Sequence, residues 1–475
     1  MKKFLVVLLS LGLLVAFGAT ASAADVKFGG SYYVVGVYEN NPLLSPDEIG
    51  QSRYSRAFFY QRIRLQPVFQ IAEGLTFTAR MDAMEKQWGN TNWKGGTDDL
   101  TSSRRNQGAL AQSQKIQESL EFERGYVTFM TRIGMFQVGY QNVDDWGTDY
   151  SDFSNSRPRF AYITKAGPVE IAFTYEKLFE NDTAGVPAAN THATDRDYDT
   201  YAISGTYKGK GLEAGLLYKY YVNNSGAEGA AATAGVKQTV SQIAPYAKAT
   251  FGPVYLEGEL QYWFGKGKFE QPAAGFGVVA LPQDVDISAW GAYIKGRFNF
   301  GPAYAGALFS YASGDDLKDA DKSKMKPGGA GTNFAPALIM MNDALNTWEN
   351  GTGVAAPVSG RVTTEKDNTL IYNIFAGVNP TPKLNIEAAL TYATVDKKAL
   401  ARAAGGVVLE AGSDKIGTEF DIKATYKIYD NLSYMVGAGY LWAGDYFKSS
   451  VVGGAVVERN IDNDYILLNQ LTLAF

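Results

Sequence analysis

IGTEFDIKATYKI, residues 416–428, alternates along its whole length. Ile416, Thr418, Phe420, Ile422, Ala424, Tyr426 and Ile428 fall on one face of an extended strand. Glu419, Asp421, Lys423, Thr425 and Lys427 fall on the other. Period-two alternation is the mark of a strand with one apolar and one polar face. Leu384–Tyr392 repeats the scheme, with Asn385, Glu387, Ala389 and Thr391 on the second face. So does Val254–Phe264, where Tyr255, Glu257, Glu259, Gln261 and Trp263 oppose the apolar set. A soluble sandwich with one wet face would also alternate. These runs, however, are about twice as long as the usual five or six residues of a globular strand. Aromatic residues also recur near their ends.

Connections alternate between short and long. Eight short turns are legible: 72–74, 131–134, 167–168, 209–211, 252–253, 301–302, 379–383 and 429–431. Three share a Gly-Pro step followed by an alternating run: AGPVEIAF, FGPVYLEGEL and FGPAYAGALF. Glycine admits positive φ, and proline starts a strand where a donor can be spared. Nine long connections lie at 39–52, 87–117, 142–156, 180–196, 223–237, 267–284, 313–367, 394–414 and 444–463. Nine hairpins give 18 strands, or 16 if a weak strand such as the first is misread. The fold class is all-β: a transmembrane antiparallel up-and-down β-barrel.

Composition agrees with a barrel. The chain of 475 residues is 13% aromatic, with 51 Gly, 30 Tyr and 26 Phe, yet its mean hydropathy is only −0.17. A strand with one apolar face averages out to look soluble. No run after residue 23 is long and apolar enough to predict a spanning helix. Lys2 and Lys3, the apolar stretch 4–17 and Ala21-Ser22-Ala23 have the form of a secretory signal. Residues 1–23 are therefore expected to be cleaved, leaving 24–475 as a single barrel domain. Cysteine is absent and His192 is the sole histidine, which leaves nucleophilic triads and transition-metal sites almost nothing to work with. No catalysis, cofactor or metal is expected. The mild formal charge of −5 carries no nucleic-acid footprint.

The chemistry then falls to the inner wall, because charge on the lipid face is heavily penalised. The basic set is Arg62, Arg64, Arg80, Arg159, Lys295 and Arg297. The acidic set is Asp82, Glu257, Glu259, Glu419 and Asp421. In strand 118–130, Glu121 and Glu123 alternate inward, but Arg124 falls toward lipid unless a bulge near Gly125 turns it. Loop 142–156 carries Asp144, Asp145, Asp149 and Asp152, a candidate constriction loop. In loop 313–367, Ala335 to Trp348 reads as a short helix, over or inside the pore mouth or as an exposed lid. Tyr221, Tyr255, Trp263 and Tyr293 are lumen aromatics without an evident row.

The last residues sharpen the reading. Phe475, Leu473, Leu471, Leu467 and Tyr465 share one face of a final strand, and Asn469 departs from the pattern. This resembles the C-terminal assembly signal of Gram-negative outer-membrane proteins. With the N-terminal signal and the hairpin rhythm, the chain resembles Gram-negative outer-membrane porins. The resemblance implies an outer-membrane location, short turns toward the periplasm and long loops outside. It implies a water-filled channel for passive diffusion of ions and small hydrophilic solutes. A substrate-selective channel for oligosaccharides or anions is one alternative, and a plugged scaffold barrel is another. The partners implied are outer-membrane lipid, lipopolysaccharide and small solutes, with a homotrimer as the family assembly. In general porins the third long loop folds inward against a basic ladder.

Overall fold

The computed structural model describes residues 25–44, 55–88, 120–180, 197–226, 235–270, 284–319, 321–324, 326–327, 330–342, 344–345, 367–402 and 407–475. The expected signal peptide and His192 lie outside these residues. The first strands are β1 (Asp25–Glu39), β2 (Arg56–Ala72), β3 (Leu75–Gln87), β4 (Leu120–Thr131), β5 (Gly134–Val143), β6 (Asn155–Ala166) and β7 (Val169–Phe179). Next come β8 (Tyr198–Gly209), β9 (Leu212–Gly226), β10 (Gly235–Phe251), β11 (Val254–Glu270), β12 (Val285–Phe300) and β13 (Ala303–Ala312). A two-residue strand, β14 (Lys322–Ser323), precedes β15 (Thr369–Thr381) and β16 (Leu384–Val395). β17 (Ala399–Arg402) and β18 (Val408–Glu410) make a small loop hairpin before β19 (Lys415–Tyr429) and β20 (Leu432–Ala443). β21 (Ser449–Val452) and β22 (Ala455–Glu458) make another before β23 (Asp464–Ala474).

Eighteen of these strands form one antiparallel sheet in chain order, β1–β13, β15, β16, β19, β20 and β23. β14 adds only a short parallel pairing to β12. The sheet closes on itself: β23 pairs with β1, Leu473 opposite Tyr32. Gly30 and Phe475 exchange both backbone hydrogen bonds, at 2.7 and 3.0 Å. All eight short turns lie where the sequence puts them. At the three Gly-Pro turns, Gly167, Gly252 and Gly301 hold φ of 61°, 57° and 63°, a conformation that disfavours a side chain.

Alternation sorts the two faces. On β19, Phe420, Ile422 and Tyr426 are exposed on the outer face, while Glu419 and Asp421 are buried on the inner one. Two strands break strict alternation, each at an irregularity. Ile416 is buried instead of facing lipid. The β16–β19 register shifts between Ala393 and Thr394, beside Gly417 at φ 153°, which turns Ile416 inward. On β4, Arg80 pairs with Arg124 but Met81 with Phe122, so Glu123 is the extra residue of a bulge. This is the bulge expected near Gly125: the added residue flips the parity of the strand and brings Arg124 into the lumen.

The barrel interior is partly filled. Val35, Val37, Tyr60, Ile371, Ala393, Leu441 and Ile466 on the inner wall pack with Phe334, Ile339, Met340, Met341, Leu345, Tyr446 and Phe447 from the loops. Over the described residues 335–342 the expected helix does not form. They run through bends and turns, and Ala344 and Leu345 beyond them are helical. The amides of Ile339 and Met340 are given to the Glu419 carboxylate, at 2.7 Å each, instead of to helical carbonyls.

Candidate functional site

The inner wall of β2, β3 and β4 carries a cluster of guanidiniums. Alternation on β2 sets Arg62 and Arg64 on one face, and β3 places Asp82 opposite Arg64. Arg64 donates to both Asp82 oxygens, at 2.7 and 2.6 Å. Arg62 and Arg80 approach the same carboxylate at 3.7 and 3.5 Å. Arg62 also bonds Glu85 at 3.2 Å and lies 5.0 Å over the Tyr33 ring. Arg124 joins from β4, donating to Asn142 at 2.5 Å and Ser156 at 3.3 Å. A fork-shaped guanidinium suits paired recognition of carboxylates, so this wall offers strong anion-binding chemistry.

A second charged group continues along β6–β9. Lys219, nearly buried, donates to Asp144 at 2.8 Å and to Glu176 at 2.7 Å. Arg159 lies 3.6 Å from Glu176, and Arg157 lies 3.7 Å from Asp144. Burial works against ionisation of Asp144, but Lys219 outweighs it and holds this carboxyl below the usual range.

Loop 144–154 turns into the lumen and docks on β11 and β12. Glu259 accepts from the Thr148 amide and hydroxyl, both at 2.9 Å, from Gln261 at 2.8 Å, and from Ser151. The Tyr150 ring stacks on Tyr293, with centroids 5.6 Å apart and an interplanar angle of 6°. Its hydroxyl donates to the Tyr311 carbonyl at 2.5 Å. Lys326, fully buried, sits 5.4 Å from that ring, and burial lowers its ammonium to about 8. On the loop's other side, burial and then the neighbouring Asp152 push Asp145 up to about 7. Asp152, hydrogen-bonded to Asn333 at 2.8 Å, keeps the charge.

Below residues 330–338 lies a cavity of about 250 Å³. Asp149, Lys295, Arg297, Lys423, Glu387, Tyr304 and Phe375 line it among others. Lys423 pairs with Glu387 at 3.0 Å, and Lys295 lies 3.7 Å from Glu257. Arg297 lies 5.6 Å over the Tyr304 ring.

The structure thus divides the candidate residues into separate groups. Arg62, Arg64, Arg80 and Asp82 come together; Arg159 and Asp144 join the Lys219 group. Asp149, Lys295, Arg297 and Asp421 meet around the cavity. Asp145 and Asp152 face each other. Glu257 receives the hydroxyls of Tyr255 and Tyr293, both at 2.7 Å. Tyr221 packs on Trp263 at 5.1 Å, so the scattered aromatics meet in pairs. Glu259 and Glu419 hold loops instead of facing the open path. Sequence reasoning missed Lys219, Glu176 and Lys326. Lys219 shares the parity of Leu217 and Tyr221, and that signal was available. Lys326 sits in an irregular loop, where no periodicity speaks.

No curated protein matches the chain. A family model described as alginate export matches residues 184–455. Among solved structures, the anion-selective porin from Comamonas acidovorans is 11% identical at a TM-score of 0.40, covering 95% of this chain and 100% of its own. OccK8 (OprE) from Pseudomonas aeruginosa is 11% identical at 0.47, covering 94% and 98%. The outer-membrane protein opdK of the same organism is 10% identical at 0.47, covering 94% and 99%. At these identities the likeness is one of fold alone.

Proposed function

The chain belongs to the alginate export family, whose barrels sit in the outer membrane, and from that premise we propose that it is a passive, anion-preferring channel. The solutes are ions and small hydrophilic molecules, with acidic saccharides the class the family description favours. No catalytic step enters this reading. The observation that carries it is the wall of β2–β4, where Arg62, Arg64 and Arg80 gather around the two carboxylates of Asp82 and Glu85, with Arg124 beside them near Glu123 and Asp145. Excess positive charge in a narrow low-dielectric path concentrates anions and speeds their entry.

Planar-bilayer recording under a salt gradient tests it. Discrete open steps with a reversal potential of anion-selective sign are the expected result. Alginate oligosaccharides should interrupt the current at concentrations where neutral maltooligosaccharides do not. Cation-selective steps would remove the arginine wall from the path. The apolar loop packing inside the barrel favours a second reading, a plugged scaffold. A heat-resistant barrel that inserts and conducts nothing would establish that one.

A further inference from the structure

We propose that the two inward segments, 144–154 and 330–342, form one rigid divider, and that Glu259 and Glu419 are the positioning residues that fix it to the wall. The effect on conductance rests on the channel reading; the divider itself does not.

The same device occurs at both anchors. Glu259 on β11 and Glu419 on β19 are 2% and 0% exposed. Each uses its carboxylate as an acceptor for loop donors. Glu259 takes the Thr148 amide and hydroxyl and the Ser151 hydroxyl. Glu419 takes the Ile339 amide on one oxygen and the Met340 amide on the other. A buried carboxylate persists only where such donors offset its lost hydration, and an irregular loop in a closed interior needs acceptors for its amides. Each requirement meets the other, which fixes the loops at two points of the wall.

The loops are also tied to each other. Gly331 N donates to Tyr150 O at 2.8 Å, and Asn333 N to Asp152 O at 3.2 Å. The Thr332 hydroxyl donates to Phe153 O at 3.0 Å, and the Asn333 side chain to Asp152 and Ser154 at 2.8 and 3.2 Å. Phe334 meets Tyr150 and Tyr293 edge-on, both at 5.7 Å. A strap of this density makes the two segments move together. Loops anchored at Glu259 and Glu419 but not strapped would loosen one at a time.

Hydrogen exchange of the full-length protein in lipid nanodiscs separates these cases, read on peptides covering 144–154 and 330–342. Glu419→Gln leaves one loop amide facing a donor, and exchange at 338–342 should quicken by about tenfold. In one body the quickening also appears at 146–152, and Glu259→Gln produces the mirror effect. Asn333→Ala with Phe334→Ala, which removes the side-chain part of the strap, should weaken the transmission between the loops; transmission unchanged in that variant also overturns the proposal. Quickening confined to the altered loop in the presence of Asn333 overturns the proposal. If Glu419→Gln does not fold, a tether replaces it. The chain has no cysteine, and a Cβ on Gly437 would lie 3.3 Å from Leu338 Cδ1. Leu338→Cys with Gly437→Cys, bridged by a short dithiol reagent, should then slow exchange at 146–152; no change there also overturns the proposal. Conductance tests the positioning role. The Glu259→Gln, Glu419→Gln double variant should at least double the open-level current, and the tether should restore it. Unchanged current overturns that role, whereas a wild-type protein that conducts nothing removes only the channel reading.

Discussion

Two sides of the same lumen put inward charge to different uses. On β2 and β3, Arg62 and Arg64 side chains remain 26% and 24% exposed and bind Asp82 among themselves. On β11 and β19, Glu259 and Glu419 are covered and bind loop backbone. One alternation rule places all four side chains inward. What differs is the company they meet: water and other side chains on one side, the amides of a folded-in loop on the other. An inward-facing charge in a barrel therefore does not by itself mark the solute path.

The comparison breaks most plainly at the arginine wall. Arg62→Ala with Arg64→Ala should lower the anion-to-cation permeability ratio by about tenfold, if this wall focuses the field; reversal potentials measure it. An equal loss from Glu419→Gln would abolish the distinction between the two sides. Next in size is Tyr150→Ala, which removes a fully buried ring and should cost about 3–5 kcal/mol of packing. Thermal loss of the heat-modifiable barrel form reads the stability, and increased open-channel noise should accompany it without a change in selectivity. A smaller effect follows from Asp145. Its carboxyl is protonated below about 7 and charged above. Raising pH through that point adds one negative charge near Arg124, so anion preference should be stronger at pH 6 than at pH 8. Asp145→Asn should flatten the profile. The smallest is Arg124→Gln, which removes one charge of the cluster and should shift the reversal potential by a few millivolts, about a factor of 1.2 in permeability.

Most of the fold was legible because it rests on local rules. The eight turns carry glycine where positive φ is needed, and the runs between them alternate by residue type. Strict parity broke at Ile416 and Arg124, in each case beside a bulge; a charge on the lipid parity announced the one at Arg124, whereas apolar Ile416 left no such mark. The arginine cluster was legible as a parity set. Its sharing of Asp82 was not, because cross-strand register decides it. The inward loops were the least legible. Nothing in APALIMMNDAL announces that its amides will meet Glu419 rather than close a helix; that partner lies on another strand, some eighty residues further along.

The seam has a consequence for the order of assembly. Every other neighbouring pair in the barrel joins strands adjacent in the chain, or separated only by loop segments, and can zip as hairpins. β1 and β23 lie nearly the whole chain apart, yet Gly30 and Phe475 must meet closely enough that a Cβ on Gly30 would lie 2.8 Å from the Phe475 ring. Closure entropy rises only slowly with such a span. The delay is one of timing, because this stitch waits for all the others. Until it forms, β1 and β23 are open edges able to accept a strand from another chain. The birth of the barrel thus has a vulnerable interval, ended by the docking of a single aromatic ring into the space left by a glycine.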